Sequence, residues 1–389
     1  MFKFLKKDKR IYADYAASTP LDKKVLKAML PYLSNDLNFG NPSSVHSFGR
    51  KAKDAVQDSR KNIAQILKVQ SDEIIFTSGG TESDNLAIFG SIKSSASKRP
   101  HIITSVIEHS AVLEPIRTLE RKGISVTYLG VGEDGRINIE ELKKAINSET
   151  VLISIAWVNG EVGTIEKIRE IGNIIKKYKE SQPIYFHTDA SQAAQFLNII
   201  PKDRGIDLMT LDSSKIYGPK GVGILFVRRG TPLSPIIFGG MQERGLRAGT
   251  ENVPGIVGFA KSLEVVERVK SSEEKRLKSL RDLLWQKLSK SIDGASVNGF
   301  PNTLPNFLNI CIPGVDAEFL SVKLDREGIA VSSASACRSI SGSGSSYVIE
   351  AMRRGDDCSK SSLRFSFGRG TSIKDIKYIA KVLPKIIKK

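Results

Sequence analysis

"PIYFHTDASQAAQFLNIIPKDRGIDLMTLDSSKIYGPKGVGILFVRR" (residues 183–229) contains three short apolar runs, and polar, titratable residues follow the first two. "PIYFHTDA" (183–190), "DLMTLDS" (207–213) and "GVGILFVRR" (221–229) have the length and composition of buried strands. Asp189 closes the first run, and Lys215 follows the second. An acid at the carboxyl end of a parallel strand points into the crevice where open α/β sheets bind ligands. The bland alternatives are that Asp189 caps the next turn and that Lys215 is one more solvated lysine. Lys220, between Pro219 and Gly221 in a turn, is expected to face solvent.

Working outward, "EIIFTSG" (73–79), "HIITSVI" (101–107), "ISVTYLG" (124–130) and "VLISIAWV" (151–158) read as further buried strands. Amphipathic patterns over 44–67 and 165–179 lie between them. This alternation predicts an α/β fold, with a mainly parallel seven-stranded sheet covered on both faces. From about residue 255 a long helical pattern leads to "PNFLNICI" (305–312), "GIAVSSAS" (328–335) and "SLRFSFG" (362–368), read as a smaller α+β unit. The expected domains are 15–258, and 1–14 together with 259–389.

The chain has 389 residues, 40% hydrophobic and 26% charged, as in an ordinary globular protein. Its net charge of +17 is spread over helix faces and both tails, without interleaved aromatics. A solvated basic surface is the expected explanation, and nucleic acid is not expected as the primary partner. No apolar run approaches the length of a membrane span, and "MFKFLKKDKR" lacks the apolar centre of a secretory signal. Cys311, Cys337 and Cys358 show no spacing for zinc or for a disulfide framework, which predicts a reducing, cytoplasmic setting and no metal site. Cys311 is expected to be a buried small hydrophobe; Cys358 has no assigned part. Cys337 stands in "SSASACRSISGSGSS" (332–346), whose composition predicts a mobile, exposed loop. A free cysteine there is unusual enough to suggest reactivity. His101 and His187 are expected to be structural.

A pyridoxal phosphate (PLP) enzyme needs a lysine to attach the cofactor and a carboxylate for the pyridine nitrogen. It also needs backbone N–H groups at a helix N-terminus for the phosphate. Lys215, Asp189 and "FTSGGTESDNLAIFG" (76–90) are candidates for these parts. In the last, Thr81 takes the N-cap position with Asp84 three residues on, and the N–H groups of Gly80 and Thr81 would face an anion. Gln192 is a candidate donor to the ring hydroxyl.

In order along the chain stand "DYAASTP" (14–20), "FGNPSSVHSFGR" (39–50), "FTSGGTESDNLA", "EHSAVL" (108–113), "VNGEVGTI" (158–165), "HTDASQ", "SKIYGPKG", "ERGLRAGTENVPGIVG" (243–258), "SSASAC" and "SSLRFSFGR" (361–369). Together they resemble the NifS-like cysteine desulfurases of the class V aminotransferase superfamily, over nearly the whole chain. The resemblance implies a PLP-dependent homodimer of fold type I. It would convert L-cysteine to L-alanine and hold the sulfur as a persulfide for a sulfur-acceptor protein of iron–sulfur cluster assembly or tRNA thiolation. It implies Lys215 as the cofactor-bearing lysine, Asp189 at the pyridinium, Gln192 at the ring hydroxyl and His109 stacked on the ring as a proton shuttle. Gly80 and Thr81 would hold the phosphate, with Thr250 reaching over from the neighbouring subunit. Asn159 and Arg364 would bind the substrate carboxylate, and Cys337 would attack the sulfur. Rival readings are another PLP lyase or aminotransferase, such as a selenocysteine lyase, or a cofactor-poor homologue acting as a scaffold.

The chain departs from the family at two phosphate positions. Asp212 stands where the family has Ser or Thr, and Ser214 where it has His. An ionised carboxylate ~5 Å from the phosphate would be repelled by ~3 kcal/mol per charge at an effective dielectric of ~20. A helix N-terminus returns only ~1–2 kcal/mol. Asp212 is therefore expected to be protonated, paired with a cation or turned aside, with Ser213 or Ser214 as donor; otherwise the cofactor site is weakened. Gly160 replaces a polar residue beside Asn159, a minor change.

Overall fold

The computed structural model describes residues 10–34, 38–179, 182–299, 301–333, 345–352 and 356–387. Its strands are β1 (Ile11–Tyr12), β2 (Ile74–Thr77), β3 (His101–Ser105), β4 (Ser125–Leu129), β5 (Thr150–Ser154), β6 (Tyr185–Asp189) and β7 (Leu208–Asp212). They continue with β8 (Gly223–Val227), β9 (Ser296–Asn298), β10 (Phe307–Cys311), β11 (Ile329–Ala330), β12 (Ser332–Ser333) and β13 (Ser362–Ser366). The helices are α1 (Lys23–Met29), α2 (Ser47–Leu67), α3 (Gly80–Lys93), α4 (Ser110–Glu120), α5 (Ile139–Ala145) and α6 (Ile168–Tyr178). After them come α7 (Val253–Leu288), α8 (Ala317–Arg326), α9 (Tyr347–Ala351), α10 (Asp356–Lys360) and α11 (Ile373–Ile387).

Seven strands form the main sheet in the order β2-β8-β7-β6-β5-β3-β4. All neighbours are parallel except β8, which runs antiparallel to both β2 and β7. Alternate side chains point to opposite faces, and both faces are apolar. Phe76, Ile103, Ile153, Phe186 and Met209 join one cluster with α2, α6 and α7. Ile75, Ile102, Leu152 and Leu208 join another with Leu86 and Ile88 of α3 and Val112 and Ile116 of α4. The expected seven-stranded α/β architecture is present.

Around this sheet, α2 buries Ala52, Ala55, Val56, Ile63 and Leu67 at helical spacing and packs on α7. It ends at Lys68, whose φ of +54° breaks the helix. The second sheet has the order β12-β13-β10-β9. The start of the chain joins this region: β1 pairs with β11, and Asp14 bridges to Ser366. α7 continues through residue 258 without a break.

The absence of a disulfide, expected from cysteine spacing, is corrected. Cys311 at the end of β10 is bonded to Cys358 in α10, with a Cα–Cα distance of 5.1 Å. Cys311 is buried as expected but is half of a cross-link. The pairing is invisible in the spacing because β13 lies antiparallel to β10 in register Cys311↔Ser362, which brings α10 beside the strand. Cys337 lies outside the described residues. No described helix is long and apolar enough to cross a membrane.

Candidate active site

The crevice lies at the carboxyl ends of β5, β6 and β7, against α3. Alternation sets which side chains reach it. Phe186 and Met209 point to one face, so His187 and Asp189 on β6, and Thr210 and Asp212 on β7, share the α3 face. Asp189 Oδ1 accepts the Ser191 N–H at 2.9 Å. The turn Ser213–Lys215 then carries Lys215 to the mouth. Behind it Tyr217 is buried with φ +64°, a conformation bulky residues rarely adopt. Bonds to both ends hold it: its N–H donates to Thr19 Oγ1 at 2.6 Å, and its hydroxyl accepts the Arg369 N–H at 2.8 Å.

Lys215 and His109 both lie close enough to Asp189 and Asp212 to feel their charges. Desolvation pulls the Lys215 pKa below that of an ordinary lysine, Asp212 and Asp189 oppose the shift, and Arg364 adds to it. The ammonium donates to the Ala17 carbonyl at 2.6 Å. His109 is the N-cap of α4, and its Nδ1 accepts the Ala111 N–H at 3.1 Å. A neutral ring in that arrangement carries its hydrogen on Nε2. Desolvation lowers its pKa, opposed by the Asp189 charge and aided by Lys215.

Gln192 donates to the Ala16 carbonyl at 2.9 Å, so adjacent carbonyls of the N-terminal segment receive Gln192 and Lys215. Asn159 is buried and its amide is engaged with backbone: Nδ2 donates to Ile107 O, and Oδ1 accepts from Glu161 N and Val162 N. Arg364 on β13 donates to Gly160 O at 2.8 Å and to Asp14 Oδ1 at 2.7 Å, while its buried Nε has no partner. Thr250 stands apart, exposed on a loop of this single chain. Lys220 is exposed.

The start of α3 differs from expectation in one respect. The N-cap is Gly79, not Thr81, because the chain enters the helix at φ +151°, which favours glycine. Gly80 is the first helical residue; Thr81 follows and is exposed. The Gly80 N–H donates to Asp212 Oδ2 at 3.1 Å, and Asp212 Oδ1 accepts the Ser214 N–H at 2.6 Å. Asp212 has therefore not turned aside; its carboxylate sits on the helix N-terminus.

Beneath lies Asp84 on α3, fully buried, its pKa pushed well above the usual carboxylate range by desolvation and then by the Asp189 charge. His187 Nε2 is 3.6 Å from it, and burial lowers the His187 pKa to about 3. His101 is likewise buried, between Thr150 and Thr127 hydroxyls. Reading by residue type did not find Asp14 and the carbonyls of Ala16 and Ala17. The motif "DYAASTP" that contains them was the available signal.

A lysine, two carboxylates, an imidazole and a helix N-terminus converge here, and the buried Ser191 hydroxyl beside Gly80 has no partner. This donor set fits PLP: an amine to attach it, an acid for its ring nitrogen, and N–H and O–H groups for its anionic end.

The Aminotransferase class-V profile matches residues 11–379. Cysteine desulfurase IscS of Dictyoglomus turgidum is 44% identical over 98% of this chain and 95% of its own length. The putative cysteine desulfurase IscS 1 of Bacillus subtilis is 42% identical over 98% and 99%. Among solved structures, a NifS-like protein superposes with a TM-score of 0.91 at 33% identity, covering 97% of this chain and 99% of that one. SspA in complex with cysteine gives 0.81 at 35% identity, covering 92% and 98%. With the fold, the crevice and these likenesses in agreement, the chain belongs to the class-V aminotransferases, among the NifS- and IscS-like cysteine desulfurases.

Proposed function

We infer that this chain is a PLP-dependent cysteine desulfurase. The observation that carries the reading is the convergence of Lys215, Asp189 and His109 on one crevice, in a chain 44% identical to a cysteine desulfurase. The net reaction is L-cysteine plus the Cys337 thiol giving L-alanine plus a Cys337 persulfide. The carbon–sulfur bond of the substrate breaks, a sulfur–sulfur bond forms, and one proton, the equivalent of that lost by the Cys337 thiol, replaces sulfur on the β-carbon to give the alanine methyl.

Bound PLP supplies an electron sink for bonds at the substrate α-carbon. The remaining tasks belong to side chains. Lys215 attaches the cofactor, and its depressed pKa leaves the free amine accessible for proton transfer. Asp189 would hold a proton at the ring nitrogen, and Gln192 would meet the ring hydroxyl. Gly80, Thr81 and Ser214 would hold the phosphate as far as Asp212, which takes the Gly80 and Ser214 N–H groups, leaves them free. His109, kept neutral by its lowered pKa, would lie against the cofactor ring and could move a proton through Nε2. Arg364 receives the substrate carboxylate through its guanidinium fork, assisted by Asn159. Cys337 attacks as the thiolate, then passes the sulfur to an acceptor protein of iron–sulfur assembly or tRNA thiolation.

Residues 15–258 form the cofactor domain in this reading; 1–14 and 259–389 bring Arg364 and Cys337. The working unit is a homodimer in which Thr250 serves the neighbouring site. Support comes from Phe39, Val45, Phe238 and Met241, which are 66–87% exposed. Pro42, Ser43, Met241 and Gln242 line one groove there, which links the two loops. The reaction is tested by measuring alanine and sulfide from L-cysteine with wild type and Cys337→Ser, with and without added PLP. The absence of turnover by wild type at saturating PLP refutes the reading.

A further inference from the structure

We propose that the Asp212 carboxylate is a built-in anion at the phosphate end of the cofactor site, so that the chain discriminates only weakly between PLP and unphosphorylated pyridoxal. The proposal rests on the PLP reading and deepens it. One α3 N-terminus opens on the crevice that holds Lys215 and Asp189, and a phosphate is drawn to such an end by its N–H groups and dipole. Here the first of those N–H groups is already taken: Gly80 N lies 3.1 Å from Asp212 Oδ2. The carboxylate is braced from the other side by the Ser214 N–H at 2.6 Å. The fit is close, since a Cβ on Gly80 would lie 3.3 Å from Asp212 Oδ2 and 3.4 Å from Ser191 Oγ. Ser191 is 6% exposed and its hydroxyl, aimed at this cradle, has no partner. The cradle therefore holds an internal anion and keeps one donor in reserve.

The surrounding charge does not relieve the conflict. Glu82 stands at the same helix end, where it accepts the Ser78 N–H, but Arg247 at 3.0 Å neutralises it. Lys215 bonds the Ala17 carbonyl, and Arg364 is paired with Asp14. Neither cation donates a hydrogen bond to Asp212, although Lys215 feels its charge. A phosphate entering the cradle must displace the carboxylate or accept its repulsion. Pyridoxal has a neutral hydroxymethyl group in place of the phosphate, and its hydroxyl can donate to the same carboxylate.

The test is reconstitution of the apo full-length protein with PLP and, separately, with pyridoxal. Dissociation constants are read from the visible absorption of the lysine-bound cofactor. Wild type is expected to bind the two within about tenfold of each other, and Asp212→Thr to widen the preference for PLP by about tenfold or more. Asp212→Asn keeps the shape, removes the charge and should shift the ratio in the same direction; it carries the test if the threonine variant misfolds. A ratio unchanged in both variants, or a wild type that already prefers PLP by about a thousandfold, overturns the proposal. If neither compound binds wild type or variants, the functional reading fails and the proposal falls with it.

Discussion

Arg364 Nη2 lies 2.7 Å from Asp14 Oδ1, across 350 residues of sequence. The guanidinium of a second-sheet strand is aimed by the segment that also supplies the Ala16 and Ala17 carbonyls to Gln192 and Lys215. Lysine cannot reproduce a planar fork held at Asp14 and Gly160. Arg364→Lys should raise KM for L-cysteine by about tenfold or more, the equivalent of about 1.4 kcal/mol, with a smaller fall in kcat. Steady-state alanine production measures it, and an unchanged KM would remove Arg364 from carboxylate binding.

The Cys311–Cys358 bond has a direct chemical signature. Of three cysteines in the chain, one thiol should react in denaturant without reductant, and three after reduction. The bond joins residues 47 apart. Replacing both cysteines by alanine should lower unfolding stability by about 2–4 kcal/mol, read from denaturant midpoints under non-reducing conditions. Three reactive thiols before reduction would contradict the cross-link.

Glu108 is buried between the Ser105 hydroxyl at 2.7 Å and the Ala156 N–H, and desolvation raises its pKa from 4.5 to about 8. Between those values the folded state binds more protons than the unfolded state, so stability falls as pH rises. The contribution is complete below about 4.5 and lost above about 8. Glu108→Gln removes this dependence. Its stability relative to wild type should improve by about 1–3 kcal/mol from pH 5 to pH 8. Paired denaturant melts at the two pH values decide; a parallel pH course for both proteins would refute it.

Met241 is 81% exposed, and Phe238, three residues earlier in the same loop, is 70% exposed. Exposed apolar groups in one patch mark an association surface. Met241→Asp should weaken self-association by about tenfold or more, seen by sedimentation as a shift toward monomer at micromolar concentration. A wild type that sediments only as monomer would remove the homodimer.

The two periodicities in the sequence determined the sheet. Seven apolar runs of strand length alternated with helical patterns, and local burial is enough to specify such elements. Lys215 and Asp189 were legible as site residues because strand ends have a fixed relation to the crevice. The gap between them in sequence carried no distance, and the fold closed it. Three details were decided only in three dimensions. Gly79, not Thr81, caps α3, because the entry angle is set by packing α3 against β7 and β8. Cys311 meets Cys358 because a β-register places them together, and spacing along a chain does not encode register. The sequence raised the problem of Asp212, since an acid stood where a phosphate was expected. Its answer, a bond to Gly80 132 residues away, depends on two backbone segments meeting, which no local pattern records.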